Sequence, residues 1–124
     1  MDIKYFDVEK VWEIHKEVLE VSGGLSGYKD KNGISQICDF MQNDLYYPGF
    51  VDKLEYLIFS IAKNHFFNDG NKRTSIATGT LFLSINGYNE KLDLYIEEME
   101  YYIIELVERK LAREQFKEIL KRYL

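Results

Sequence analysis

The sequence predicts an all-α fold, a compact bundle of six helices that forms a single domain over residues 1–124. Along most of the chain, apolar residues recur at steps of three and four, which is the spacing of a helix with one buried face. There is one proline among the 124 residues, so few helices need be interrupted. A hydrophobic content of 46% is enough to bury a core in a chain of this length.

Turn and capping residues divide the chain into its helices. Asp7 suits the N-cap of the first helix, and Gly23 ends that helix. Pro48 separates the second helix from the third, and Asn86 caps the end of the fourth. The predicted helices cover residues 8 to about 21, 34 to about 43, 51–65, 71–86, 95–108 and 113–123.

The third and fourth helices are expected to form the core on either side of one short polar segment. The third helix carries an apolar stripe that we expect to end at His65. Gly79, in the middle of the fourth helix, costs roughly 1 kcal/mol relative to alanine. A close helix crossing explains this glycine better than contact with a nucleotide does. The predicted inner face of the fourth helix consists of Ile76, Ala77, Thr80, Leu81 and Ser84.

Two reactive side chains fall on apolar helix faces. His15 shares the stripe of the first helix with Val11 and Trp12, and Cys38 lies on the second helix. A histidine in such a place is more often a hydrogen-bonded core residue than a catalytic group. A lone cysteine on an apolar face is more often a small core residue than a nucleophile. We therefore interpret both as core residues.

The segment between the third and fourth helices, HFFNDGNKR at residues 65–73, concentrates polar chemistry. Asn68, Asp69 and Gly70 are turn formers, so a new helix should begin near Asn71. The first turn of that helix offers free N–H groups and the positive end of the helix dipole, which together favour phosphate.

The remaining side chains of this segment suit a transfer reaction. Lys72 and Arg73 place two positive charges at the helix start, Asp69 can hold a Mg²⁺ that bridges phosphates, and His65 can act as a base on a hydroxyl. These are the parts that phosphoryl or nucleotidyl transfer requires. The alternative is a plain helix–turn–helix whose Asp69 and Asn71 cap the second helix while both cations face water.

The spacing in this segment resembles the signature of the Fic/Doc family, His-x-Phe-x-Asp/Glu-Gly/Ala-Asn-Gly/Lys-Arg. Residues 23–27, Gly-Gly-Leu-Ser-Gly, are similar to the Gly-Gly-Leu-x-Gly segment of that family. The resemblance covers nearly the whole chain and implies a Fic/Doc-type bundle, in which an anion-binding loop precedes a central motif helix. The positions that match the signature are His65, Phe67, Asp69, Gly70, Asn71, Lys72 and Arg73.

The family contains two chemistries, which differ at positions visible in this chain. The AMP-transferring branch has His-Pro-Phe-x-Asp/Glu-Gly-Asn-Gly-Arg-x-x-Arg, whereas this chain has Phe66, Lys72 and Ile76 at the proline, second glycine and final arginine. The Doc branch has His-x-Phe-x-Asp-Ala-Asn-Lys-Arg-Thr, and the sequence at 72–74 follows it. The one departure from the Doc pattern is Gly70 in place of alanine.

The resemblance implies a Doc-like toxin of a type II toxin–antitoxin system. Such a toxin transfers the γ-phosphoryl group of ATP to a protein hydroxyl, by resemblance a threonine of elongation factor Tu, and so blocks translation. The alternatives are AMP transfer (AMPylation) to a protein hydroxyl, which Gly70 permits, and a non-catalytic binding module that keeps the motif as a scaffold. The implied roles are His65 as base, Asp69 as Mg²⁺ ligand, Lys72 and Arg73 as catalytic cations, and Asp69, Gly70, Asn71, Lys72 and Arg73 as the nucleotide-binding set.

The resemblance also implies a regulatory partner. AMP-transferring relatives often carry an inhibitory Ser/Thr-x-x-x-Glu-Gly/Asn helix, but no Ser or Thr of this chain has a Glu four residues later. A separate antitoxin is therefore expected, Phd-like and binding through a segment that folds on contact. The aromatic loop at residues 45–50 either helps to position the target, as in the family, or packs onto the core.

Charge and hydropathy limit the remaining partners. The net charge of −5 opposes binding to nucleic acid, so we expect no DNA binding by the chain itself. No apolar run is long enough to span a bilayer, and the charged N-terminal stretch lacks the apolar core of a signal peptide. The sequence therefore predicts a cytoplasmic protein without a membrane partner.

Overall fold

The structure, a computed structural model, describes residues 2–124; Met1 lies outside the described residues. Its elements are α1 (Val8–Ser22), α2 (Lys31–Phe40), α3 (Phe50–Lys63), α4 (Asn71–Ile85), α5 (Leu92–Val107), α6 (Arg113–Leu120) and a final 3₁₀ turn (Lys121–Tyr123). Between residues 2 and 124 there is no β-strand, only an isolated antiparallel bridge between Tyr28 and Phe67. The predicted all-α fold with six helices is confirmed.

Several predicted helix boundaries are wrong, including the end of the second helix, which is Phe40 rather than about residue 43, and the start of the fifth, which is Leu92 rather than about residue 95. The second helix begins at Lys31 rather than near residue 34, because the Asp30 side chain caps it by accepting a hydrogen bond of 2.9 Å from the Gly33 N–H. The third helix ends at Lys63 rather than at His65. The backbone of His65 has a φ of 52°, in the left-handed region that a right-handed helix cannot include.

The central helix, α4, packs against α1, α3 and α5. The predicted inner face of α4 is wrong, since Ile76, Ala77, Thr80, Leu81 and Ser84 are only half-buried. A helix covered on several sides has no single apolar stripe, and here much of the innermost face is small or polar. The buried residues of α4 are Asn71, Thr74, Ser75, Thr78, Gly79, Phe82 and Leu83.

The crossing predicted at Gly79 is confirmed. A Cβ atom at Gly79 would collide with the Tyr95 hydroxyl of α5 and would lie 3.0 Å from Cδ1 of Ile58 in α3. The same hydroxyl donates a hydrogen bond of 3.1 Å to the Ile76 carbonyl of α4. A glycine is therefore what lets α3 and α5 approach α4 at this level.

Two charged side chains of α3 are buried and hold other segments against it. Lys53 is fully buried and donates to the Met41 carbonyl at 3.0 Å and to the Asp44 carboxylate at 2.9 Å. Glu55 is 2% exposed and accepts three hydrogen bonds of 2.9–3.2 Å from Arg113 at the start of α6. Burial raises the pKa of Glu55, and the Arg113 guanidinium opposes part of that rise.

Cys38 is a core residue, as predicted. It is 5% exposed, and burial raises the pKa of its thiol to about 12. The thiol is therefore protonated at neutral pH and cannot serve as a nucleophile. None of the helices in residues 2–124 is long and apolar enough to cross a membrane.

Candidate active site

A cavity of about 500 Å³ lies where the C terminus of α1 meets the N terminus of α4. It brings together all six residues predicted for the site: His65, Asp69, Gly70, Asn71, Lys72 and Arg73. The sequence did not place four others there: Ser22, Gly23, Gly24 and Asn68. The two glycines belong to the segment that resembles the family pattern, and that resemblance was the signal that could have found them.

The loop between α3 and α4 is fixed by the glycine segment that follows α1. The Phe66 carbonyl accepts a hydrogen bond of 2.7 Å from the Lys29 N–H, and the Asn68 N–H donates one of 3.1 Å to the Gly27 carbonyl. The Asn68 side chain adds a third bond, of 2.9 Å, to the Ser26 carbonyl. The loop is therefore paired along its length although no sheet is formed.

The N terminus of α4 forms the floor of the cavity. Gly70, with a φ of 76°, turns the chain into the helix. The N–H groups of Asn71, Lys72 and Arg73 have no intrahelical acceptor, and no other group in residues 2–124 accepts from them. The Lys72 and Arg73 side chains are exposed and form no ion pair within the same residues. Free amides, a helix dipole and two cations are features that favour a phosphate group.

Asp69 presents a carboxylate to this cavity in a defined orientation. Its Oδ1 accepts a hydrogen bond of 2.9 Å from the Gly70 N–H, and its Oδ2 accepts one of 3.2 Å from the Leu25 N–H. A Cβ atom at Gly24 would lie 2.6 Å from that Oδ2, so only glycine leaves room for the carboxylate. The two oxygens keep lone pairs free for a cation.

The donor set fits Mg²⁺ bound together with a nucleotide. Among residues 2–124 no three His, Cys, Asp or Glu side chains come together, so Asp69 is the carboxylate available at this cavity. Mg²⁺ is commonly held by one or two carboxylates together with substrate phosphates and water. Asp69 beside an anion site provides that arrangement.

The Asn71 side chain is occupied by the loop itself. The residue is 9% exposed. Its Oδ1 accepts a hydrogen bond of 3.1 Å from the Phe67 N–H, and its Nδ2 donates one of 3.1 Å to the Phe67 carbonyl. Because both ends of the amide are engaged, what Asn71 offers to the cavity is its backbone N–H.

His65 reaches the cavity from an exposed, left-handed position on the loop. A non-glycine residue in this region costs roughly 1–2 kcal/mol, and such conformations cluster at functional sites. The imidazole bonds to no other group in residues 2–124. Both ring nitrogens are therefore available to a ligand.

His15 is a hydrogen-bonded core histidine, as predicted. It is 5% exposed, its Nε2 lies 2.8 Å from the Asp69 carbonyl oxygen, and its ring stacks on Phe67 at a centroid distance of 3.7 Å. It does not line the cavity. It lies directly behind the residue that we expect to bind the metal.

The aromatic loop packs onto the core in part, and its role toward a target stays a prediction. Tyr47 stacks on Tyr56 at 4.2 Å and Phe50 on Phe82 at 4.7 Å, so these two pack inward. Leu45 and Tyr46 are 85% and 65% exposed. None of the residues from 45 to 50 lines the cavity.

Comparison with known proteins agrees with this geometry. Residues 5–83 match the Fic/DOC family. The chain is 32% identical over 89 residues to protein kinase Doc of Escherichia phage P1, an alignment covering 68% of this chain and 70% of that protein. It is 40% identical over 63 residues to toxin Doc of Mycolicibacterium smegmatis, covering 51% of this chain and 48% of the relative, so it spans about half the length of that toxin. Because the family match extends over more than half of the sequence and contains the whole cavity, the chain belongs to the Fic/Doc family.

Proposed function

We propose that this chain is a Doc-like toxin of a type II toxin–antitoxin system and that it transfers the γ-phosphoryl group of ATP to a protein hydroxyl. The observation that carries the proposal is the cavity at the start of α4. There, free amides, two cations and the Asp69 carboxylate converge beside His65, and neither the cations nor this histidine has a partner within residues 2–124. The two Doc relatives, one called a protein kinase and the other a toxin, support the same choice.

In this mechanism the phosphates of ATP lie on the N–H groups of Asn71, Lys72 and Arg73. The hydroxyl oxygen of the target attacks the γ-phosphorus as the bond to ADP breaks, and His65 accepts the hydroxyl proton. Lys72 and Arg73 neutralise the charge that develops on the transferring group. Asp69 would hold Mg²⁺, which supplies charge neutralisation between phosphates.

AMP transfer is the second candidate, because Gly70 matches the AMP-transferring pattern. Two features oppose it. The Lys72 side chain stands where that branch has a glycine, which allows close approach of a phosphate to the backbone. Ile76, half-buried on α4, stands where the branch has its last arginine, so one phosphate-binding fork is lost.

The proposed target is a threonine of elongation factor Tu, and the proposed regulator is a Phd-like antitoxin whose segment folds on contact. We propose that the protein acts in the cytoplasm. A non-catalytic binding module remains the rival class, and it predicts that His65→Ala keeps full toxicity.

The deciding experiment is the intact mass of purified elongation factor Tu after incubation with this protein, ATP and Mg²⁺. A phosphate-sized gain supports the proposal, and an AMP-sized gain supports the second candidate. His65→Ala should reduce transfer by about 10²–10⁴-fold, the usual contribution of a general base. Lys72→Ala should also reduce transfer, whereas the matched control Lys91→Ala, an exposed lysine at the start of α5, should not. No transfer to any protein of a bacterial lysate by the folded protein would overturn the proposal.

A further inference from the structure

We infer that His15 is a positioning residue for the Asp69 carboxylate, acting through the peptide bond between Asp69 and Gly70. This inference deepens the proposed function and rests on it where Mg²⁺ is concerned. His15 lies on α1, far from the motif in sequence, and touches the loop from the side opposite the cavity. Its Nε2 is 2.8 Å from the Asp69 carbonyl oxygen. A carbonyl only accepts hydrogen bonds, so Nε2 carries a proton and donates it.

The bond fixes the orientation of one peptide plane. In a trans peptide the C=O and the following N–H point in opposite directions, and residues 2–124 contain no cis peptide. The Asp69 C=O points toward His15, so the Gly70 N–H points away from His15. There it donates a hydrogen bond of 2.9 Å to the Asp69 Oδ1. His15 on one side thereby holds the carboxylate on the other.

Residue 70 does not impose this orientation by itself. Gly70 has a φ of 76°, and glycine adopts negative φ as readily as positive. Rotation of the peptide plane would change the φ of Gly70 and carry its N–H away from the carboxylate. The bond from His15 therefore adds to the Gly70 N–H bond to the carboxylate in favouring the observed orientation.

The surroundings of His15 fix the donor in place. The ring is 5% exposed and stacks on Phe67 at 3.7 Å with 7° between the planes. Val18 and Leu19, on the same face of α1, lie within 3.5 Å of where a Cβ atom of residue 70 would be. Stacking on Phe67 and the packing of α1 against Gly70 keep the imidazole beside the loop, with its Nε2 toward the Asp69 carbonyl.

A pair of variants separates the donor from the ring. His15→Phe keeps an aromatic ring to stack on Phe67 but removes the donor. His15→Gln places an amide N–H close to the position of Nε2 but removes the ring. If His15 positions the carboxylate, His15→Phe should lose protection of the Gly70 amide and need more Mg²⁺ for ATP binding. His15→Gln should stay close to the wild type in both measurements. If His15 is only a core residue, both variants should lose function in proportion to their stability.

The first readout needs no ligand. In ¹⁵N NMR spectra of the wild-type chain, His15 should show the Nε2–H tautomer and the Gly70 amide should be protected from exchange. In His15→Phe we expect exchange of the Gly70 amide to speed up by up to about tenfold, the effect of losing one hydrogen bond that holds the peptide plane, with wild-type exchange retained in His15→Gln. Unchanged exchange in His15→Phe would overturn the inference.

The second readout is the Mg²⁺ concentration needed for half-maximal ATP binding, measured by calorimetry on the same proteins. It should rise about tenfold in His15→Phe and stay near the wild-type value in His15→Gln. Equal rises in both variants that follow their urea midpoints would assign His15 a structural role and overturn the inference. If the wild-type chain binds no ATP, the proposed function fails, and the amide exchange still decides the role of His15.

Discussion

Replacement of Gly24 by alanine tests whether the glycine segment after α1 shapes the site. Gly24 has a φ of 120°, so an alanine there has backbone strain of roughly 1–2 kcal/mol. Its Cβ would also lie 2.6 Å from the Asp69 Oδ2, a distance at which the carboxylate must turn away. That movement breaks the 3.2 Å bond from the Leu25 N–H, which contributes about 1 kcal/mol at an exposed position. The expected destabilisation is therefore about 2–3 kcal/mol.

Gly87 supplies the matched control. It has a φ of 87° after the end of α4, and a Cβ atom added there would meet nothing within 4 Å. Gly87→Ala should therefore show the backbone strain alone, about 1–2 kcal/mol, with no effect at the cavity. Both variants carry the strain of a positive φ, so a change in Mg²⁺-dependent ATP binding in Gly24→Ala alone would be assigned to the contact with Asp69.

Urea unfolding gives the two stabilities, and calorimetry gives the Mg²⁺ concentration needed for half-maximal ATP binding. Gly24→Ala should be the less stable by about 1 kcal/mol and should need more Mg²⁺, whereas Gly87→Ala should bind ATP as the wild type does. Equal stabilities and equal Mg²⁺ requirements in the two variants would refute the reasoning, because they would mean that Gly24 serves the turn and not the carboxylate.

Three further substitutions test the packing around α4 and α3. Gly79→Ala should destabilise the fold by about 1–3 kcal/mol in urea unfolding, because its Cβ overpacks against Tyr95. Tyr95→Phe in the same chain should recover part of that loss. No recovery would mean that the Tyr95 hydroxyl is not what requires a glycine at position 79. Arg113→Ala should cost about 1–3 kcal/mol, less than the usual value for a buried pair because Arg113 is 46% exposed. The cost should be smaller in a Glu55→Gln background, where residue 55 carries no charge; an undiminished cost there would assign it to the contact of Arg113 with Phe59. Burial raises the pKa of Cys38 from 9.0 to about 12, so the folded chain binds one more proton than the unfolded chain between those values and stability falls as pH rises through that window. Cys38→Ala should therefore lose less stability than the wild type between pH 9 and pH 11 in urea titrations, and identical pH dependence would contradict the buried thiol.

The residues of the site could be predicted because they are neighbours in sequence. His65 through Arg73 form a turn and the first residues of a helix, and a turn brings its own members together without help from the rest of the chain. The identity of the Gly24 partner could not be predicted in this way. It depends on the packing of α1 against the loop, which places Gly24 beside Asp69 although 44 residues separate Leu25 from Asp69.

Two further features could not be predicted from the sequence: the inner face of α4 and the burial of Glu55. Hydrophobic periodicity identifies the inner face of a helix whose opposite face is exposed to solvent, and it succeeded for the apolar stripe of α3. It failed for α4, where Thr74 and Thr78 are fully buried and Ile76 is not, because neighbours on several sides leave no solvent-facing stripe. The burial of Glu55 was equally hidden, since its partner Arg113 lies 58 residues away.

The loop before α4 keeps a fixed geometry because groups outside it hold its backbone. His15 of α1 and the Leu25 N–H hold Asp69 from opposite sides, and the Asn71 side chain bonds to the backbone of Phe67. These holding groups lie on different elements, so a single substitution should weaken ligand binding before it unfolds the chain. The histidine and the two cations of the cavity, in contrast, bond to no other group in residues 2–124 and can adjust to a ligand. In the proposed function, the fixed carboxylate would hold Mg²⁺ and the fixed amides the phosphates of ATP, while the adjustable side chains of His65, Lys72 and Arg73 would accommodate a protein substrate.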